Sequence, residues 1–211
     1  MEPSEAVDVC YACGEPKTSV EHAPPRSWFS NARWDDPIKV PSCRAHNNDN
    51  SRDVEYVRDI IAAAAVGDCV DDVWQKGVLK AASHGRGTFL KLQRKSDEYS
   101  HDGREIQAID LETARFRSVF CAIGDALRFH LYKEPRQHNW HVYSPLLFSH
   151  IAAEPLKAMI DGVAAAAHWD IQESKKPCCF QWATYMHGEQ LWIRLIFYKV
   201  LDFYLIERLT R

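Results

Sequence analysis

The chain has no long apolar run. Its most apolar late stretch, Leu191 to Ile206, carries Arg194, Lys199 and Asp202, and charges spaced that way exclude a lipid-embedded helix. The opening residues, Met1-Glu2-Pro3-Ser4-Glu5, are acidic and polar, where a secretory leader would be basic and then apolar. A cytoplasmic protein without membrane contact is the expectation. Surplus positive charge is also missing: 26 Lys and Arg stand against 29 Asp and Glu, a formal net charge of −3. Non-specific coating of nucleic acid is excluded, so any contact with it must come from a local patch. Internal repeats and low-complexity linkers are absent. Seven cysteines, an odd number in a chain without an export signal, argue against a disulfide framework and favour metal binding for any regularly spaced pair.

What is present is core material. Hydrophobic residues make up 46% of the 211, with seven Trp and nine Phe, enough for one generous domain or a small module fused to a medium one. The regular spacing sits at the N-terminus. Cys10-x2-Cys13 is followed, 29 residues later, by Cys43-x2-His46. Each tight knuckle points two ligands inward, and two knuckles complete a closed tetrahedral set of soft and borderline donors that suits a structural Zn²⁺. Cys69, Cys121, Cys178 and Cys179 have no such spacing, and the adjacent Cys178-Cys179, before an expected strand, read as small apolar residues rather than a metal or redox pair.

Between the knuckles lies Ser19-Val20-Glu21-His22-Ala23-Pro24-Pro25. A strand running into the Pro-Pro turn holds Glu21 and His22 at its end. Asn47 follows the last zinc ligand directly. The zinc geometry therefore brings a carboxylate, an imidazole and an amide oxygen near one another, a plausible setting for a hard divalent ion and a water.

In this combination the chain resembles the HNH endonuclease family, with its ββα-metal finger on a treble-clef zinc knuckle. The residues that carry the resemblance are Cys10, Cys13, Glu21-His22 and Val40 to Asn47, within about residues 8 to 58. The resemblance implies roles for them. His22 matches the general base that activates water, Glu21 the acidic metal ligand, and Asn47 a third position facing the catalytic Mg²⁺ or Mn²⁺. Cys10, Cys13, Cys43 and His46 match the zinc ligands. The chain departs from the family pattern in having Glu rather than Asp before the histidine, Ile38 where a bracing Asn is usual, and His46 as fourth zinc ligand. The implied activity is hydrolysis of phosphodiester bonds in DNA, double-stranded or nicked, rather than in RNA. Family members serve in anti-phage defence and mobile elements, some beside an ATPase partner. The competing expectation is a non-catalytic zinc-finger adaptor that binds a protein partner or DNA.

The rest of the chain is expected to be helical and then stranded, an α+β fold divided at 1–66 (zinc-finger nuclease module) and 67–211 (helical and C-terminal β region, DNA- or partner-binding). Residues 53–66 read as a helix with Asn50 or Ser51 as its cap and Gly67 as its stop. Asp53 and Glu55 suit a helix N-terminus, and a role beside the catalytic metal is the alternative. Residues 73–96 contain no acid but hold Lys76, Lys80, Arg86, Lys91, Arg94 and Lys95, the best candidate for a phosphate-backbone track. Phe116, Val119, Phe120, Ile123, Leu127 and Leu131 predict an amphipathic helix over 113–132, and 154–168 an Ala-rich one. His138 and His141 read as packing or loop histidines. Residues 180–186, a turn at 187–190 and the β-branched, aromatic run 191–206 predict a C-terminal hairpin or small antiparallel sheet.

Overall fold

The computed structural model describes residues 8–29, 38–48, 51–65, 68–84, 97–101, 104–108, 111–135, 139–145, 154–172 and 179–208, with 97–101 and 104–108 described by their backbone alone. The fold is mixed α+β. A first hairpin pairs β1 (Ser19–Ala23) with β2 (Ile38–Ser42) antiparallel, in the register Glu21 to Val40 and His22 to Lys39. A short helix α1 (Arg44–Asn48) and the longer α2 (Ser51–Ala64) follow. Then come α3 (Asp68–Val73), a wider π turn (Trp74–Leu79), α4 (Lys80–Ser83), a second hairpin of β3 (Asp97–His101) and β4 (Arg104–Ala108), and the central helix α5 (Thr113–Tyr132). The C-terminal half contributes β5 (Trp140–Tyr143), α6 (Glu154–Ala166), β6 (Asp170–Gln172), β7 (Phe180–His187), β8 (Gln190–Phe197) and β9 (Leu201–Glu207). No helix among the described residues is long and apolar enough to cross a membrane.

The expected C-terminal sheet is present and larger than the sequence implied. It has five antiparallel strands in the order β5-β9-β8-β7-β6. The hairpin β7–β8 turns at Gly188, whose φ of 61° is the left-handed conformation that glycine adopts freely. The next turn uses Tyr198 and Lys199, both at positive φ. Tyr198 is held there by burial and by its hydroxyl, which donates to the carbonyl of Trp28. The β3–β4 hairpin was not foreseen.

The two regions share one hydrophobic core. Trp28, buried just after β1, packs against Phe120 of α5 and Phe197 of β8, with ring centroids 5.9 and 5.4 Å away, and its Nε1 donates to the Val54 carbonyl at 3.0 Å. On α2 the buried Tyr56, Val57, Ile60 and Ile61 form one stripe. The Tyr56 hydroxyl accepts the Glu112 N–H at 2.9 Å. Arg115 lies 4.7 Å from the Tyr56 ring centre and pairs with Asp53 at 3.1 Å, so α2 is fastened to the start of α5. Farther along α5, Phe120 stacks on Phe203 of β9 at 4.1 Å. Helix α5 is thus fixed between the first hairpin, α2 and the sheet.

Its closest approach is at Gly124. A Cβ there would lie 2.8 Å from Cε2 of Trp140, a fully buried ring whose Nε1 donates to Asp125 at 2.8 Å. Overpacking of a ring that cannot retreat costs about 1–3 kcal/mol. Gly124→Ala is therefore expected to lower stability by that amount despite the better helix propensity of alanine, and a urea or thermal melt would read it. A variant as stable as the parent would show that Trp140 can give way.

Candidate functional site

The N-terminal knuckle is a tight loop closed by a bridge between Val9 and Pro16. The Cys10 N–H donates to the Glu15 carbonyl at 2.7 Å, and the Gly14 N–H to the Cys10 carbonyl at 3.0 Å; Gly14 has φ 76°, which requires a glycine-like backbone. The Tyr11 N–H to Pro41 carbonyl bond, 2.8 Å, docks this loop on β2. Cys43 directly follows β2, and His46 stands three residues on, in α1, with its Nδ1 3.2 Å from the Cys43 sulfur.

Cys10, Cys13, Cys43 and His46 converge with their ligand atoms within 4.8 Å of one another. Sγ of Cys10 is 3.6 Å from Nδ1 of His46, Sγ of Cys43 is 3.2 Å from the same nitrogen, and the sulfurs of Cys13 and Cys43 are 3.9 Å apart. A tetrahedron with zinc-to-sulfur bonds of about 2.3 Å and zinc-to-nitrogen bonds of about 2.0–2.1 Å has edges of about 3.5–3.8 Å. The four residues could therefore hold a metal ion and fit zinc. Their protonation agrees with a cation's need to be there. Burial opposes ionisation of Cys10, but backbone amides at Ala12, Cys13 and Cys43 leave its thiol below the usual range. Desolvation, then the neighbouring thiols Cys10 and Cys43, push Cys13 up to about 11. Three thiols this close ionise together only around a positive charge. Among the other cysteines, Cys179 is buried, as expected of apolar packing, and Cys121 is half-buried; the Cys69 side chain and Cys178 lie outside the described residues.

Beside this cluster is a cavity of about 230 Å³, and Glu21, His22, His46 and Asn47 all line it. The sequence-predicted trio thus shares one space. Adjacent strand residues point to opposite faces, so the cavity wraps around the end of β1 rather than lying on one face of the hairpin. Asn47 is positioned by its N–H, which donates to the Cys43 carbonyl at 3.1 Å. Burial raises the Glu21 carboxyl from 4.5 to about 7. His22 moves the other way: burial first, then the charges of Lys39 and Arg26, hold its imidazole below the ordinary 6.5 and therefore neutral at pH 7. A neutral imidazole next to a partly desolvated carboxylate can accept a proton, and the carboxylate gains by meeting a cation.

The Glu21 shift has a signed consequence for stability. A folded-state value raised above the unfolded one stabilises the fold fully below about pH 4.5, and that contribution is lost as pH rises through about 7. Zinc-loaded Glu21→Gln protein is expected to melt at a higher temperature than the parent at pH 8, with the gap closing near pH 5. Equal melting temperatures at pH 8 would mean that Glu21 is not desolvated.

Several contributors were not legible in the sequence. The far wall is α5, through Val119, Ala122, Ile123 and Ala126, and Tyr11, Ser27 and Ser51 add polar edges. Lys39 faces His22 across the hairpin, and Arg26 is near enough to shift it. The Lys39 signal was present in retrospect, since pairing of Glu21-His22 with the strand before Cys43 places it opposite His22. Other sequence candidates lie elsewhere. Asp53 is committed to Arg115, and Glu55 is 3.6 Å from Arg58. Of the predicted basic track, Lys80 is exposed on α4, while the Lys76 side chain and Arg86, Lys91, Arg94 and Lys95 lie outside the described residues. His141 is half-buried and within 3.1 Å of Arg208, a packing role; His138 lies outside the described residues. Ile38, the position of the missing Asn, pairs with Ala23 and packs on the core.

Comparison with protein-family models, with characterised proteins and with solved structures finds no match to this chain.

Proposed function

We propose that the chain is an HNH-type endonuclease that hydrolyses phosphodiester bonds in DNA, with a structural zinc on Cys10, Cys13, Cys43 and His46. The observation that carries this reading is the lining of one cavity by Glu21, His22 and Asn47 beside the four-ligand cluster. A zinc-finger adaptor has no need for a partly buried carboxylate and a neutral imidazole in a shared hollow, and each costs stability there.

Glu21 and Asn47 are the residues that would hold a catalytic Mg²⁺ or Mn²⁺, both being hard oxygen donors. When bound, such an ion supplies Lewis-acid stabilisation of the charge that develops on the phosphate oxygens. The chain's own residues supply the rest. His22 takes the proton from an attacking water, a role open to it because burial and the adjacent cations keep it neutral. Lys39 and Arg26 add positive charge on the His22 side, where a phosphate would be held. The apolar surface of α5 keeps bulk water from the far side of the cavity. The fold and zinc cluster hold these groups on strand and helix ends rather than on a free loop, which limits the reorganisation required for reaction. Anti-phage defence and an ATPase partner remain what the family resemblance implies.

The test is cleavage of single-stranded, nicked and closed circular DNA by zinc-loaded protein with Mg²⁺ or Mn²⁺, against His22→Ala. Divalent-dependent cleavage that disappears in the variant supports the reading. Equal inertness of both proteins on every substrate, with zinc bound, leaves the adaptor.

A further inference from the structure

One polar group at the candidate site has no part in the chemistry described so far: the hydroxyl of Tyr11. Tyr11 lies between two of the four residues of the metal cluster, Cys10 and Cys13, so its backbone is fixed along with theirs. Its N–H donates to the Pro41 carbonyl at 2.8 Å, and the residue is only 2% exposed. A tyrosine has two side-chain torsions before a rigid ring, and this ring is part of the hydrophobic core. The hydroxyl is therefore carried on a stiff arm.

That arm reaches the cavity, which Tyr11 lines together with Glu21, His22 and Asn47. Burial first, then the charges of Glu21 and Asp125, push the phenol well above its usual range. Glu21 is thus the charged side chain that acts on this hydroxyl most strongly, whereas the charges that act on His22 are Lys39 and Arg26. The difference follows from β1, whose adjacent residues point to opposite faces. Tyr11 and Glu21 belong to one side of the strand end, His22 to the other.

The Tyr11 hydroxyl has no hydrogen-bond partner among the described residues. It is not sealed in the protein either, in contrast to the hydroxyls of Tyr143 and Ser144, which are buried without a partner. Its open side is the cavity. Solvent there can accept its hydrogen bond in the free protein, and a ligand oxygen can replace that solvent. Phenylalanine would pack in the same space with no polar group to desolvate, so packing alone does not account for a tyrosine.

We infer, on the nuclease reading, that Tyr11 contacts the substrate: its hydroxyl donates to a non-bridging oxygen of the phosphate held beside Glu21, across the end of β1 from the water that His22 deprotonates. A neutral donor suits this position. The acids Glu21 and Asp125 already act there, and a phosphate brings further negative charge. A donor fixed in advance strengthens as charge builds up on that oxygen, and requires no rearrangement at the moment of reaction.

The experiment uses the full zinc-loaded chain with Mn²⁺. The substrates are a labelled oligonucleotide annealed to its complement, and the same duplex with one linkage replaced by either phosphorothioate diastereomer. Cleavage at that linkage is read from product length under single-turnover conditions with saturating protein. Bis(p-nitrophenyl) phosphate serves as a small diester control. Tyr11→Phe is expected to slow cleavage by about 10–100-fold, the effect of losing a hydrogen bond to a charged group, with zinc content and melting temperature retained. Sulfur accepts hydrogen bonds weakly, so the parent is expected to cut one diastereomer about 10-fold more slowly than the oxygen substrate. In Tyr11→Phe that additional penalty should vanish, because the donor it depends on is gone.

A variant that cuts at the parental rate overturns the inference and leaves the nuclease reading intact. So does a slowed variant that keeps the parental sulfur penalty, since the hydroxyl would then act through structure and not on that oxygen. A variant that loses zinc or melts early has the same consequence. A parent that cuts both diastereomers as fast as the oxygen substrate overturns the inference without recourse to any variant. If the parent hydrolyses neither the duplex nor the small diester, the nuclease reading fails and this inference fails with it.

Discussion

Replacing Cys10 by serine is expected to remove the bound zinc and to unfold the N-terminal third of the molecule. Cys10 is fully buried, its backbone closes the first knuckle, and its sulfur faces His46 at 3.6 Å. Sites of this type bind zinc with about 10–16 kcal/mol of apparent free energy, while whole domains are stable by only about 5–15 kcal/mol. Losing one of four ligands therefore removes a large part of the total. The consequences extend beyond the finger, because Trp28 and Phe29 leave β1 and pack directly against the C-terminal sheet. A chelator titration followed by circular dichroism, with zinc content determined in parallel, provides the measurement. The expected result is one zinc per chain in the parent, and a fall in melting temperature of well over 10 °C on chelation or in Cys10→Ser, at about 2–4 °C per kcal/mol for a chain of this size. A parent that contains no zinc, or that melts at the same temperature after chelation, would refute the cluster as a structural centre.

The second large effect concerns chemistry instead of stability. On the proposed function, His22→Ala should reduce divalent-dependent cleavage of DNA by about 10²–10⁴-fold, the usual contribution of a positioned general base, or roughly 3–5 kcal/mol in the barrier. Its melting temperature should barely change. His22 is only half-buried, lines a cavity and packs against no described aromatic ring, so truncation leaves little unfilled volume in the core. The dissociation between activity and stability is the informative part. A variant that loses activity and melts early would place His22 among the structural residues. A variant that cuts at the parental rate would remove His22 from the mechanism and point to another base. Single-turnover rates on the labelled oligonucleotide, with thermal melts on the same preparations, distinguish these cases.

Together the two predictions assign different physics to neighbouring histidines. His46 has Nδ1 turned towards two thiols, at 3.6 and 3.2 Å, and belongs to the metal cluster. His22 lies under the influence of Lys39 and Arg26 and is kept neutral by burial and charge. Both border the same cavity, so the Cys/His cluster that could hold zinc forms one end of that cavity.

Some of this was available from the sequence because the forces are local. The two-residue spacing within each knuckle, the strand that stops at Pro24-Pro25, and the helical periods of 53–66 and 113–132 each report on a few consecutive residues; the first helix is found at Ser51–Ala64, shifted by two residues, and the second at Thr113–Tyr132. Other features depended on partners distant in the chain. Nothing around Trp140 announces that β5 will pair with β9, because that register is set by core packing across more than 60 residues. The central helix was legible as amphipathic, yet its apolar stripe has two uses that the pattern cannot separate. Phe116, Phe120 and Leu127 fill the core, while Val119, Ile123 and the small Ala122 and Ala126 wall the cavity. The sequence by itself determined which four residues could hold a metal ion, the two amphipathic helices and the C-terminal strands, and the chemical types at the candidate site. Only the tertiary structure decided that α5 walls one side of that cavity and that Lys39 and Arg26 act on His22, because such walls arise from long-range burial, and a helix's neighbours are chosen by shape and area rather than by spacing along the chain.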